Sequence, residues 1–397
     1  MIDRNKTIGV FFGSRSPEHD VSIITAHLIM GQLRTDGYKV LPVYISKKGE
    51  WLLAEKYGTL KTFTDPSLAP SPHEGREGEG YYLDLEKSHG KIVFKRKGFA
   101  GKEIRIDIAF PALHGSYGED GTIQGLFEML NVPYVGCEVA SSAIAMDKVL
   151  TKIFCQAKGI LTNKFLYFSR QEWNTAQAEI LAKIKTELKW PVFVKPPRLG
   201  SSIGMTKVKN NLDLKLAIEV ALHYDEKFLV EESVENLMDI TCCVIGNENP
   251  TPSLLQESIF AGSEYFSYEE KYLKEGGAQL GKGGSNVIIP ARLDDAITRE
   301  IREHATNVYK AFGCSGIARV DILYDKSSKK YYVSEINTLP GTLYHHLWKA
   351  SGVEFSDLLQ KLIGYAIQRF DAKQKVAYTF DSDLLRKTNS IKLGSKI

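Results

Sequence analysis

Two kinds of apolar periodicity succeed one another along this chain, and their order constrains the fold more than any other feature. Short β-rich runs alternate with stretches of helical spacing from the first residues to about residue 370, which specifies α/β units rather than an all-α or all-β protein. The first run is Thr7 to Phe12, ending at Gly13, and a helix is expected over Val21 to Leu33. Further strands are expected at Lys39 to Ile45 and Ile106 to Pro111, then a helix from Ile123 to Leu130 and a short strand at Tyr134 and Val135. Such a unit is an open parallel sheet that holds its ligands beyond the C-terminal ends of its strands.

A second α+β unit begins near Ser141. It reads as a helix from Ala143 to Lys158, a strand ending at Lys195, a Gly/Ser turn into Met205 to Val208, a helix from Leu212 to Leu222 and a strand from Phe228 to Glu231. The last third carries strands at 240–245, 287–289, 318–324 and 331–336, with helices at about 294–311 and 355–369. Thr64 to Gly80, rich in Pro, Gly and Glu, reads as a surface insertion, and the segment after Lys373 as a polar, basic tail.

The formal net charge of +3 is too balanced for a chain that coats nucleic acid or lies on a membrane. No apolar run approaches the about 20 residues that cross a bilayer, and the N-terminus lacks the features of a signal peptide. Its five cysteines, with no CxxC pair, argue against a disulfide framework or structural zinc and fit a reducing, cytoplasmic compartment.

Three segments carry chemistry. The first is the pair Ala318-Arg319-Val320-Asp321-Ile322 and Val333-Ser334-Glu335-Ile336-Asn337, joined by the polar turn Asp325 to Tyr331. In a hairpin, Arg319 and Asp321 share one face, as do Glu335 and Asn337. Three oxygen-bearing side chains would then gather beside one arginine, and magnesium takes hard oxygen ligands of this kind. A solvated hairpin face with a surface ion pair would give the same pattern. The turn Thr338 to Thr342 that follows could present a backbone N–H to an anion.

The second segment runs from Val194 through Lys195 and the loop Arg198-Leu199-Gly200-Ser201-Ser202-Ile203-Gly204. Its bare N–H groups, the Ser201 and Ser202 hydroxyls and Lys195 can wrap a phosphate, although it is neither a Walker A loop nor a dinucleotide fingerprint. Lys148, in Ala145-Met146-Asp147-Lys148, is either a second phosphate contact or a solvated helical lysine. The third segment, Phe228 to Val234, is an apolar strand ending in Glu231 and Glu232. Backbone groups there could read a purine edge while Asp239 takes ribose hydroxyls; exposed edge acids are the simpler alternative.

Together these segments resemble the ATP-grasp superfamily and, within it, the D-alanine–D-alanine ligase family. The likeness runs from about residue 6 to 370 in the family's order. It includes Phe12-Gly13-Ser14-Arg15-Ser16-Pro17-Glu18-His19-Asp20-Val21-Ser22, Ala112-Leu113-His114-Gly115-Ser116-Tyr117-Gly118-Glu119-Asp120-Gly121-Thr122, Glu269-Glu270-Lys271-Tyr272 and Glu335-Ile336-Asn337-Thr338-Leu339-Pro340-Gly341. The two N-terminal motifs are specific to the ligases; those of the ATP site are shared across the superfamily.

The resemblance implies an α/β ATP-grasp fold of three α/β domains, with ATP gripped between the second and third. The boundaries are 1–138 for a substrate-binding domain, 139–235 and 236–373 for the central and catalytic ATP-grasp domains, and 374–397 for the tail. It also implies roles. Glu18 would hold the ammonium of the first D-alanine, with His114 beside it. Lys148, Lys195 and Lys271 would contact ATP phosphates, with Ser201 and Ser202 in the loop. Glu231, Glu232, Val234 and Asp239 would line the nucleoside pocket. Asp321, Glu335 and Asn337 would bind two magnesium (or manganese) ions. Arg319 and the Gly341 N–H would stabilise the tetrahedral oxyanion. Glu18, Ser201 and Tyr272 would form a hydrogen-bonded set, and the glycine-rich stretch Gly262 to Asn286 would act as a lid. D-alanine is the implied substrate, with a homodimer by analogy.

Four positions depart from the family pattern: Asp20, Leu199, Asp239 and His346. The last stands where the family usually places a serine against the second substrate's carboxylate. The acceptor is therefore D-alanine or another small acid such as D-lactate or D-serine. A non-catalytic nucleotide-binding protein of the same fold is opposed by the retained Lys195, Arg319, Asp321, Glu335 and Asn337.

Overall fold

A computed structural model describes residues 3–65, 80–96, 101–259 and 287–384. Thr7–Gly13 lies between Lys39–Ile45 and Ile108–Pro111, parallel to both, with Trp51–Leu52 antiparallel at the edge. Its near-continuous apolar sequence follows from burial of both faces, as parallel strands require. The expected strand Ile106 to Pro111 is divided at Asp107, whose carboxylate accepts the Thr7 N–H at 2.7 Å. Glu103–Ile106 joins a separate antiparallel sheet with Tyr81–Leu83 and Ile92–Arg96, and Tyr134 makes only a bridge to Ala109. At the end of the first strand Gly13 has φ +96°, and a Cβ there would lie 2.1 Å from the Ile45 carbonyl oxygen. That turn swings the chain into the helix His19–Thr35, with Glu18 at its N-terminal end.

The helix expected over 143–158 is two helices, Val139–Met146 and Lys148–Ala157. Asp147 between them is extended (φ −92°, ψ 105°), and its carboxylate accepts the Val149 and Leu150 N–H groups at 3.0 and 3.2 Å while pairing with Lys227. The break makes Lys148 the first residue of a new helix, aimed at the central cleft. Replacing Asp147 by alanine removes the cap and strands Lys227, so a loss of about 2 kcal/mol is expected in urea unfolding.

The middle of the chain forms a four-stranded antiparallel sheet in the order Thr206–Val208, Val192–Lys195, Lys227–Glu232, Phe165–Ser169. The long helices Arg170–Glu187 and Asn211–Tyr224 bury their apolar faces against it. Phe165–Ser169 was not anticipated from the sequence. The last third is a five-stranded antiparallel sheet, Val287–Ile288, Thr251–Ser258, Leu237–Gly246, Gly316–Asp325 and Tyr331–Asn337, packed by the helix Asp295–Ala311. Thr251–Ser258 was also not anticipated.

The final helix, Phe355–Lys373, returns to the N-terminal sheet: Leu358 and Leu362, with Trp348 of the preceding helix His345–Ala350, share one core with Ile8, Phe12 and Ile29. This closure sets the turn after Asn337 against the first helix. No helix among the described residues is long and apolar enough to cross a membrane. Most of the 64–80 insertion, the whole 262–286 stretch and the tail beyond residue 384 lie outside the described residues.

Candidate active site

Register does for the hairpin what alternation promised. Arg319 faces Asn337 and Asp321 faces Glu335, so all four side chains stand on one face. The ladder slips between Asp321 and Ile322, leaving Ser334 as the extra residue, and such a bulge re-aims its neighbours. The Arg319 Nε donates to Asp321 Oδ1 at 2.8 Å and its Nη2 to Oδ2 at 2.6 Å; Glu335 lies 3.7 Å away. Asn337 Nδ2 and the Thr241 hydroxyl donate to the Asp321 carboxylate at 3.1 and 3.2 Å. Lys148 closes the group with a 2.8 Å ion pair to Glu335; burial opposes the charge on Lys148, but Glu335 outweighs it and raises its pKa.

The donor set fits magnesium. Two carboxylates and one amide on adjacent strands leave positions for phosphate oxygens, which is how magnesium is usually held. Asn337 presents its nitrogen to Asp321 here, and rotation of the amide presents the oxygen instead.

The loop 198–204 reaches this cluster from the central sheet. Lys148 Nζ donates to the Leu199 carbonyl at 3.0 Å, and its backbone N–H to Pro197 O at 3.1 Å. Ser201 and Ser202 have φ of 56° and 59°, a left-handed turn that lifts their N–H groups toward the cleft. Gly200 packs so close to Glu18 that a Cβ would lie 2.8 Å from its carboxylate, and the Ser201 hydroxyl donates to Glu18 Oε1. Lys195 pairs with Glu231, which also holds Lys152 at 2.8 Å. Burial would raise the pKa of Glu231, but the two ammonium groups overcome it and hold it down at about 2.

A cavity runs from this loop between the two sheets, walled by Phe193, Met205, Leu237 and Leu323 and rimmed by Ser233, Val234 and Asp239. Apolar walls with a few polar groups suit a purine and ribose. Glu231 faces the cavity. Glu232, one residue on, faces away, and its carboxylate accepts the Lys189 N–H at 2.9 Å.

Beside Gly200 lies the remaining cluster. Glu18 is 5% exposed; its Oε2 has no hydrogen-bond partner, and burial, with nearby Glu119, raises its pKa. His114 bonds to the Thr25 hydroxyl at 2.9 Å through Nε2, and its Nδ1 lies 3.9 Å from Glu119. The same Thr25 oxygen accepts the Thr342 N–H at 3.1 Å. Past Gly341, Thr342, Leu343 and Tyr344 all have φ near +50°, a run that non-glycine residues rarely adopt and that carries strain. Tyr344 stacks over the Arg319 guanidinium at 4.9 Å, fixing it from the other side. His346 Nε2 bonds to Gln256 Oε1 at 2.7 Å, leaving Nδ1 buried and unpartnered; burial lowers its pKa to about 4. Lys271 and Tyr272 lie outside the described residues.

The sequence reading missed Lys152, Thr25 and Gln256. Lys152 stands one helical turn after Lys148, so the i, i+4 spacing was a usable signal; nothing local marked the other two.

Comparison with known proteins agrees with this geometry. Residues 7–137 match the family described as "D-ala D-ala ligase N-terminus" and residues 154–364 the "D-ala D-ala ligase C-terminus". The D-alanine--D-alanine ligase of Chloroherpeton thalassium is 37% identical over 377 residues, covering 93% of this chain and 98% of that protein. That of Caldicellulosiruptor bescii is 38% identical over 380 residues, covering 94% and 98%. Among solved structures, the D-alanine-D-alanine ligase from Coxiella burnetii superposes with a TM-score of 0.75 at 29% identity, covering 97% of this chain and 98% of its own. The VanG D-Ala:D-Ser ligase from Enterococcus faecalis gives 0.74 at 34% identity, covering 91% and 99%. With both family segments matched in order, over residues 7–137 and 154–364, and relatives 37–38% identical over more than nine-tenths of its length, the chain belongs to the D-alanine–D-alanine ligase family.

Proposed function

We propose that this chain condenses two D-alanine molecules into D-alanyl-D-alanine, a peptidoglycan precursor, at the expense of ATP. The observation that supports it best is the buried, unpartnered Oε2 of Glu18, which lies close against Gly200 of the phosphate loop and Gly115, next in the chain to His114. A buried carboxylate oxygen without a partner is costly unless a cation meets it, and the ammonium of an amino acid supplies one.

With the ammonium on Glu18, the donor's carboxylate points toward Lys148 and Arg319. One of its oxygens attacks the γ-phosphorus of ATP; the bond to ADP breaks and an acyl phosphate forms. Lys148 and Lys195 offset the crowded phosphate charge, and the Ser201 and Ser202 N–H groups orient it. The amine of the second amino acid then attacks the acyl carbon and loses a proton as inorganic phosphate leaves. Arg319, held between Asp321 and Tyr344, and the Gly341 N–H face the oxyanion of that step. Asp321, Glu335 and Asn337 would hold two magnesium ions, whose contribution is Lewis-acid neutralisation of phosphate oxygens.

His346 supports a contact to the acceptor's carboxylate. Its imidazole is neutral near pH 7, so donation from Nδ1 requires Gln256 to turn its amide and donate to Nε2. His346→Ala is expected to raise the acceptor KM about tenfold while leaving the ATP KM unchanged, because one hydrogen bond is lost on one side only. A D-serine acceptor is the second reading, favoured by the His346 substitution and by similarity to a D-Ala:D-Ser ligase. Mass spectrometry of products from ATP, magnesium and an equimolar D-alanine, D-serine and D-lactate mixture separates them. No product with any acid would overturn the proposal.

The domain boundaries after residues 138, 235 and 373, and a homodimer, are carried over from the family resemblance; light scattering checks the latter. The five cysteines are all free thiols, which suits the cytoplasm, where ATP is also available.

A further inference from the structure

We infer that Lys152 is a positioning residue for ATP binding: it is the standing counter-ion of Glu231, and its presence lets Lys195 leave that carboxylate for a phosphate. This rests on the reading of Lys195 as a phosphate contact.

The argument begins with the helix Lys148–Ala157. Lys148 and Lys152 are one turn apart on one face of that helix, Lys148 lining the cavity and Lys152 buried behind its wall. Lys148 meets Glu335, and Lys152 meets Glu231 Oε2 at 2.8 Å. The other oxygen of Glu231 takes Lys195. The side chains of Lys152 and Glu231 are 1% and 2% exposed, whereas that of Lys195 is 13% exposed and lines the cavity. Glu231 therefore has one buried, permanent partner and one partner at the cavity wall.

A buried carboxylate must be neutralised by a neighbour, because low-polarity surroundings do not solvate it. If Lys195 were the only neighbour, its transfer to a phosphate would strand Glu231, and that penalty would oppose nucleotide binding. With Lys152 in place, Glu231 stays paired when Lys195 moves. The trio carries one net positive charge before the move and a neutral buried pair after it. Lys152 is itself closed off from the cavity by its burial, and its ammonium lies 5.6 Å from the Phe165 ring, so it has no route to the phosphates of its own.

Lys152 should then matter only while Glu231 is charged. The test compares wild type with Lys152→Met, Glu231→Gln, the double variant and Lys195→Met, reading ATP KM and kcat separately at saturating D-alanine and magnesium. Lys152→Met is expected to raise the ATP KM about 30-fold, equivalent to about 2 kcal/mol, with kcat within about threefold. The double variant should bind ATP within about threefold of Glu231→Gln alone, since removing both buried charges removes the penalty together. A double variant at least tenfold weaker than Glu231→Gln would overturn the inference, because Lys152 would then act independently of Glu231. That comparison stands even where Lys152→Met alone does not fold, because the double variant leaves no unpaired buried charge. Lys195→Met separates the underlying reading. If its ATP KM matches wild type, the phosphate role of Lys195 fails; if it rises while the double variant is tenfold weak, only the role of Lys152 fails.

Discussion

Exchanging Asp321 for asparagine is expected to lower kcat by at least about 1000-fold while the protein remains folded. Asp321 stands at the centre of the hairpin cluster, bonded to both ends of the Arg319 fork, to Asn337 and to Thr241. Asparagine keeps the shape and can still accept hydrogen bonds, so the cleft should hold its form. It removes the negative charge, which immobilises the Arg319 guanidinium and, in the proposed mechanism, also attracts a divalent cation. Both act most strongly in the charged transition state, so the loss should fall on kcat more than on the D-alanine KM. ATP-dependent phosphate release at graded magnesium reads it directly. A variant whose kcat stays within tenfold of wild type would remove Asp321 from the chemistry. Partial recovery at high magnesium would separate weakened ion affinity from misplacement of Arg319.

The Glu18→Gln variant should show an unusual pair of changes: kcat/KM for D-alanine falls at least about 100-fold, and the free protein becomes more stable. The first follows from loss of the buried charge proposed to meet the donor ammonium, where truncating one partner typically costs about 2–5 kcal/mol, or about 30-fold to several-thousand-fold. The second follows from the raised pKa of Glu18, caused by burial and Glu119 and only partly relieved by Ser201. A carboxyl with a raised folded-state pKa opposes folding once it ionises, so its neutral amide relieves that penalty above the carboxylate range. An increase of a few degrees in the unfolding midpoint is expected, the usual exchange between stability and function at a binding site. The sign of the pH effect is fixed as well. Glu18 is protonated below its pKa and then cannot attract an ammonium, so kcat/KM for D-alanine should fall with decreasing pH, beginning above the ordinary carboxylate range. In Glu18→Gln that acid limb should vanish. A variant that loses both activity and stability would instead identify Glu18 as a packing residue.

The hairpin chemistry was legible because two simple regularities met: alternation along a strand, and a polar turn short enough to force Asp321 opposite Glu335. The parallel sheet was legible from runs such as Thr7 to Phe12, where burial on both faces leaves no polar alternation. The break at Asp147 was not, because apolar spacing continues unbroken across it and only the side chain's return to Val149 and Leu150 stops the helix. The strand Thr251–Ser258 is defined by its partners across the sheet rather than by a pattern of its own, whereas Phe165–Ser169 does carry the aromatic-rich composition of a strand. Lys152 was not singled out from the sequence, since its burial depends on Glu231, far away in the chain. The left-handed run Thr342 to Tyr344 contains no glycine, so nothing in its composition announced it; tertiary contacts from Thr25 and Arg319 impose it.

One of the contacts that hold this turn is an oxygen atom with a second partner. The Thr25 hydroxyl is shared by the imidazole of His114, proposed to flank the first amino acid, and by the main chain that leads to His346. The spacing of the two proposed substrate subsites is thereby tied to the opening helix. Repacking under that helix would shift both subsites in concert, so remodelling the acceptor side for a larger partner carries a matching displacement on the donor side.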